Sequence, residues 1–208
     1  MIHFHVDMQD LTQIEAALGM MKDKSAMVLK TAINNTAKQT VQLLVDEANK
    51  EYQFTQPAQV RKTLSIHKAT TKKLVALVTS EGRVNELYNF MVKPRTYIRG
   101  GGVAGGYNAH TKRGAAYQNI YLKQNAAADE DKYRAFVVTY KSGHKTLTQR
   151  RPGKRMKSDP SKEFLKTLFA PSIPNILGDE KGVYGVVEPK MYDMLQRNIQ
   201  EQIIRFVK

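Results

Sequence analysis

The stretch KTAINNTAKQTV at residues 30–41 lies inside the longest helical pattern of the chain, and it places two asparagines in the middle of that pattern. Apolar residues recur there at helical spacing from about residue 23 to residue 51. They are Val28, Ala32, Ala37, Val41, Leu44, Val45 and Ala48, with Leu29, Ile33 and Tyr52 at the edges. Asparagine is unfavourable inside a helix because its amide competes for backbone hydrogen bonds. We therefore expect Asn34 and Asn35, with Lys38 beside them, to fix the register of this helix against a neighbouring element.

The remaining pattern predicts an α+β fold. Alternating or β-branched runs indicate strands at residues 2–8, 64–70, 73–80, 88–95, 116–123 and 133–141, the second and third of these forming a hairpin. Helical spacing predicts three short helices: one at residues 10–20, one that begins after Thr55 as its N-cap, and one at residues 161–168. It also predicts a C-terminal helix at residues 183–207. We expect an antiparallel or mixed sheet of about five strands packed against the long N-terminal helix and the C-terminal helix. Because no linker divides the sequence, we expect one domain over residues 1–208.

Positive charge is the strongest feature of the composition. The chain has 33 Lys and Arg against 19 Asp and Glu, a net charge of +14, and residues 132–158 contain no acid. Much of this charge falls in two glycine- or proline-containing segments, at about residues 97–115 and 142–160, which we expect to be flexible basic loops. Such an imbalance is typical of a protein with a polyanionic partner, and equally of a solvated basic face that serves solubility. The candidates to face DNA or a protein neighbour are Arg99, Lys112, Arg113, Lys141, His144, Lys145, Arg150, Arg151, Lys154 and Arg155.

The composition argues against several kinds of chemistry. The chain has no cysteine, so it has no thiol nucleophile, thiolate zinc site or disulfide. No run of about 18 apolar residues predicts a membrane span. The acids are scattered, and the tightest group, residues 129–131, follows an alanine run in an expected solvated loop. Metal-dependent phosphoryl chemistry needs clustered carboxylates, so a nuclease is disfavoured and no cofactor or metal is expected.

Four segments, taken in order along the chain, resemble the phage minor tail protein Z family, also called tail-completion proteins. The first is the run Ala32, Ile33, Asn34, Asn35, Thr36, Ala37, Lys38. The others are VRKTLSIHKAT at residues 60–70, AFVVTYKSGHKTLTQR at 135–150 and APSIPNIL at 170–177. Together they extend over nearly the whole chain.

The resemblance implies a structural role without catalytic residues. Proteins of this family form a ring, six-fold by the symmetry of the tail, at the head-proximal end of a long phage tail. The ring joins the tail tube and the tail terminator to the head connector, and DNA passes through it. The implied location is the virion tail or neck, and the host cytoplasm during assembly.

Other interpretations share part of this reasoning. A tail terminator or a head–tail adaptor would differ in its position along the particle rather than in its chemistry. A stand-alone nucleic-acid-binding protein would also explain the charge, although the sequence has no helix-turn-helix, zinc or aromatic RNA-binding motif. That alternative requires tight, salt-sensitive binding by an isolated monomer.

Overall fold

The computed structural model describes residues 2–5, 16, 24–98, 107–114, 118–119 and 135–207, and these residues form an α+β structure. The α+β class, the long N-terminal helix and the C-terminal helix are confirmed. The strands form several small antiparallel sheets rather than one larger sheet. The chain divides into two compact units: unit 1 comprises residues 1–49, 57–83 and 173–208, and unit 2 comprises residues 50–56 and 84–172. The expectation of one domain over residues 1–208 stays a prediction.

Unit 1 contains the long helices and one three-stranded sheet. Helix α1 (Ser25–Glu51) is followed by helix α2 (Ala58–Lys62), and the C-terminal part holds α3 (Ile173–Leu177) and α4 (Val183–Val207). Strand β1 (Ile2–His5) and strand β2 (Leu64–His67) flank the central strand β3 (Val75–Ser80), and both pair with it in antiparallel register. The predicted hairpin is therefore confirmed, and the first strand is confirmed over residues 2–5.

Helix α1 buries a stripe wider than predicted. Leu29 and Ile33, which were expected at the edge of the stripe, are fully buried together with Val28, Ala32 and Ala37. Helix α4 buries Met191, Met194, Leu195 and Ile199. The core of unit 1 thus comes from helical faces whose 3.6-residue period is visible in the sequence.

Unit 2 consists mainly of strands, most of which are short. They are β4 (Asn85–Glu86), β5 (Met91–Lys93), β6 (Asn108–His110), β7 (Gln118–Asn119), β8 (Phe136–Thr139), β9 (Lys145–Arg155), β10 (Glu163–Thr167) and β11 (Phe169–Ala170). They pair as the sheets β5-β6-β7 and β10-β9-β8 and the pair β11-β4. The predicted strand at residues 88–95 is shorter, because Leu87–Asn89 forms a 3-10 turn before β5. Within the described residues, the predicted strand at 116–123 is observed at residues 118–119 as β7, and the predicted strand at 133–141 is observed at residues 136–139 as β8.

The core of unit 2 joins two of these sheets. Val92 of β5 and Ala109 of β6 pack in one cluster with Val137 of β8 and Leu147 of β9. Phe90, directly before β5, is fully buried, and its ring centroid lies 5.0 Å from that of Phe54. Unit 2 therefore has an apolar core of its own.

Three sequence predictions in and around unit 2 are wrong. Residues 145–155 of the expected loop at 142–160 form β9, because β8 and β10 satisfy its backbone at successive positions. The expected helix at 161–168 is β10, whose alternating burial follows a period of two. Thr55 does not cap α2, since its hydroxyl donates to the Phe90 carbonyl oxygen at 3.0 Å.

The first expected loop is also partly ordered into a strand. Residues 108–110 of the segment 97–115 form β6, which pairs with β5 through Met91↔His110, Val92↔Ala109 and Lys93↔Asn108. The remaining predictions for that segment, and for the helix at 10–20, fall mainly outside the described residues. Gly143, expected at a turn, has φ +81° between β8 and β9, a conformation that glycine adopts without strain.

Candidate nucleic-acid interface and helix contacts

Asn34 connects α1 to the turn between β2 and β3. Its Nδ2 donates to the Ala69 carbonyl oxygen at 3.1 Å, and the Ala69 N–H donates to Asn34 Oδ1 at 2.8 Å. One side chain thus satisfies both backbone groups of a residue outside any strand, which a Leu or Ala at this position would leave unpaired. This geometry explains why a residue of low helix propensity lies inside α1.

Thr36 connects the same helix to α4. Its hydroxyl donates to the Ala32 carbonyl oxygen at 2.9 Å and accepts from Asn198 Nδ2 at 2.8 Å. Asn198 is 4% exposed, and its Nδ2 also donates to Gln39 Oε1 at 2.8 Å. The contacts of Asn198 and Gln39 were not predicted from the sequence, because the sequence of a helix does not show which distant residue a polar side chain will contact.

The three predicted register residues therefore differ in their surroundings. Asn34 makes the two contacts with Ala69, Asn35 is half-buried, and Lys38 is exposed. We predicted a hydrogen bond to a neighbouring element for both asparagines, and in the structure Asn34 makes it, with Ala69.

The positive charge is concentrated in unit 2. Its residues include eighteen Lys and Arg against seven Asp and Glu, a difference of eleven out of the net +14 of the chain. Unit 1 has fifteen against twelve. Such a distribution gives unit 2 the more positive potential.

Strand β9 and the turn before it carry seven of the ten predicted cationic candidates. Lys141 and His144 lie in the β8–β9 turn, and the others lie on β9 itself. All seven are exposed: Lys141, His144, Lys145, Arg150, Arg151, Lys154 and Arg155. The sequence assigned these residues to a loop, whereas five of them lie on β9, and their role in facing DNA or a protein neighbour stays a prediction.

Of the other three candidates, Lys112 is already paired with a carboxylate. Lys112 Nζ lies 2.6 Å from Glu51 Oε1 and 5.1 Å from the centroid of the Tyr52 ring, and the Glu51 hydrogen bond raises the pKa of Lys112. The backbone N–H of Arg113 donates to the Glu51 carbonyl oxygen at 2.8 Å. Arg99 lies outside the described residues.

His144 is also paired. Its Nε2 lies 3.1 Å from Glu86 Oε1, and its ring stacks on Tyr140 with centroids 6.0 Å apart. Because the imidazole already contacts a carboxylate, His144 contributes less to a polyanion-binding surface than the residues of β9.

Arg150 lies on an aromatic platform. Its guanidinium carbon is 5.4 Å from the centroid of the Phe136 ring, and the Tyr97 ring meets Phe136 edge to face with centroids 6.5 Å apart. Phe136 pairs with Thr148, two residues before Arg150, so the ring and the guanidinium are diagonal neighbours on one face of the sheet. Stacking reduces the freedom of the side chain while leaving its charge exposed.

A tight turn closes the far end of the β9–β10 hairpin. Asp159 accepts hydrogen bonds from the N–H and the hydroxyl of Ser161, and its Oδ2 lies 2.8 Å from Lys162 Nζ. The Lys162 contact is the largest cause that lowers the pKa of Asp159 from 3.8 to about 2.

We expect NMR titration of the Asp159 carboxyl carbon to give a pKa of about 2. Since the folded value is the lower one, the turn is stabilised above about pH 4 and loses that stabilisation as the pH falls towards 2. Lys162→Met should move the pKa of Asp159 towards 3.8. Lys166→Met, which removes another exposed lysine of the hairpin, should leave it near the wild-type value. A wild-type value near 3.8 would contradict the turn geometry.

The described residues bear on membrane insertion and on metal binding. Within them, no helix is long and apolar enough to cross a membrane, and no group of three or more His, Asp or Glu residues is arranged to hold a metal ion. The acids at 129–131 fall outside the described part.

Comparison with known proteins gives no relative: no family model, no curated protein and no solved structure matches this chain.

Proposed function

We propose that the chain is a structural protein of a long-tailed phage or prophage, a tail-completion component that forms a ring at the head-proximal end of the tail. Its partners are copies of itself, the tail terminator and tube proteins, and the proteins of the head connector. Genomic DNA passes through the ring without sequence-specific contacts. The protein performs no catalysis in this role.

The observation that carries the proposal is the contact between Asn34 and Ala69. These residues belong to two of the four segments on which the family resemblance rests, and they are 35 positions apart in sequence. A paired amide and peptide group gives both segments a common structural reason, namely the fixed position of α1 against the β2–β3 turn. This contact supports the proposal because it links two of the segments that carry the resemblance.

The distribution of charge supports the same role. A wall around passing DNA needs cations that meet phosphates without reading bases. The exposed cations of β9 supply such a surface within unit 2.

Deletion of the gene from its phage genome tests the proposal. We expect filled heads and free tails that remain unjoined in electron micrographs, and infectivity restored when the chain is supplied from a plasmid. As a control, an exposed substitution such as Lys72→Gln in the plasmid copy should restore infectivity fully. Joined, infectious particles after deletion would overturn the proposal. A terminator would instead give tails of irregular length.

A further inference from the structure

Residues 149–155 of β9 and 163–166 of β10 form a two-stranded ribbon. In the described part of the chain, β8 pairs with β9 at residues 145–148, whereas β10 pairs with β9 from Thr148 to Arg155. The outer half of β9 is therefore paired on one side. Because residues 152–154 bulge out between the Arg151 and Arg155 pairings, the length of the ribbon is that of its four β10 residues, about 13 Å at about 3.3 Å per residue.

The ribbon and its turn carry many more cations than acids. Seven Lys and Arg lie between residues 149 and 167 against two acids, Asp159 and Glu163. The cations are Arg150, Arg151, Lys154, Arg155, Lys157, Lys162 and Lys166, and all are exposed. Within the described residues, Lys162 is the member whose charge is paired with a carboxylate, that of Asp159.

The backbone of the ribbon is unsuited to accept another strand. Pro152 has no N–H to donate, and Gly153 has φ +71°. The register also shifts there, since Glu163 pairs with Arg155 whereas Phe164 pairs with Arg151. Proline, bulges and charges protect sheet edges from strand addition. Recognition by this element must therefore come from side chains.

We propose that this ribbon is the part of the chain that binds the phosphates of double-stranded DNA. The inference rests on the proposed function, in which duplex DNA is the polyanion that passes the ring. DNA carries one charge per about 1.7 Å of axis, both strands counted, so about 13 Å of duplex carries about eight phosphates, and those on the near side can meet the ribbon cations. Arg150, held on Phe136, offers one of these cations in a restricted position.

Fluorescence anisotropy with the full chain and two unrelated 30-base-pair duplexes, at salt from 50 to 200 mM, tests the inference. We expect equal binding to both sequences and a log–log salt slope set by the number of phosphate contacts. The double variant Arg151→Gln, Lys154→Gln should reduce the magnitude of that slope by about 2. Lys68→Gln with Lys72→Gln, exposed lysines of unit 1, changes the net charge equally and should leave the slope unchanged.

Two controls separate the loss of charge from a loss of folding: a double variant that keeps both positive charges, and thermal melting of every variant. Arg151→Lys with Lys154→Arg should retain the wild-type slope, and all variants should melt as the wild type does. Equal slope changes in the two Gln pairs would overturn the inference, as would a wild type that does not bind duplex at 50 mM salt. Competition by polyglutamate as effective as by DNA would overturn it in favour of an acidic protein partner.

The two proposals fail in different ways. A chain that enters particles but does not bind DNA would remove this inference and leave the proposed function standing. A chain that binds DNA through the ribbon but is absent from particles would do the reverse.

Discussion

Replacing Asn34 with alanine is expected to lower the free energy of unfolding by about 2 kcal/mol. The substitution removes both hydrogen bonds to Ala69 and leaves a part-buried N–H and carbonyl without that partner. Each such group costs about 1–3 kcal/mol, and the better helix propensity of alanine returns about 0.7 kcal/mol of the loss. Urea unfolding followed by helical circular dichroism measures the change, since α1 and α4 supply most of that signal.

Asn35→Ala is the matched control, because it makes the same chemical change one position along the helix. We expect a change within about 0.7 kcal/mol there, with the propensity gain favouring stability. Equal losses from both variants, or no loss from Asn34→Ala, would show that the Ala69 contact does not hold the helix in register.

Phe90→Ala is expected to cost more, about 3–5 kcal/mol, because it empties a fully buried position of unit 2. The ring packs against Phe54. Val92, two residues further along the chain, belongs to the same buried cluster as Leu147. Hydrogen exchange, read separately for amides of β8–β9 and of α1, measures the effect. We expect the largest loss of protection in unit 2.

Phe169→Ala provides the comparison for that variant, since Phe169 belongs to the same unit and is 58% exposed. Its removal should change protection by less than about 1 kcal/mol. If the two variants lose protection equally, or if Phe90→Ala leaves β8–β9 unchanged, unit 2 is not stabilised by the core described above.

Periodic segments were predictable because one element buries one repeating face. The stripe of α1, the C-terminal helix at 183–207 and the hairpin at 64–80 all follow from 3.6- or two-residue spacing. The cations of β9 were also predictable as exposed, because unpaired Lys and Arg are almost never fully buried.

Unit 2 was harder to predict for physical reasons. Several of its strands have two to five residues, too few to show a period, and its core is assembled from positions far apart in sequence. In the sequence, Pro152 and Gly153 predict an interruption of secondary structure. In the structure they lie within β9, at the bulge where its register with β10 shifts. The partner of Thr36 lies 162 residues away, so no local pattern reveals it.

The most direct test of the central claim is cryo-electron microscopy of the intact particle that carries this chain. The account predicts density for several copies arranged as a ring between the tail tube and the head connector, with the ribbon at 149–166 facing the DNA channel. Particles whose neck and tail contain no density that accommodates α1 and the β8–β9–β10 sheet would contradict it.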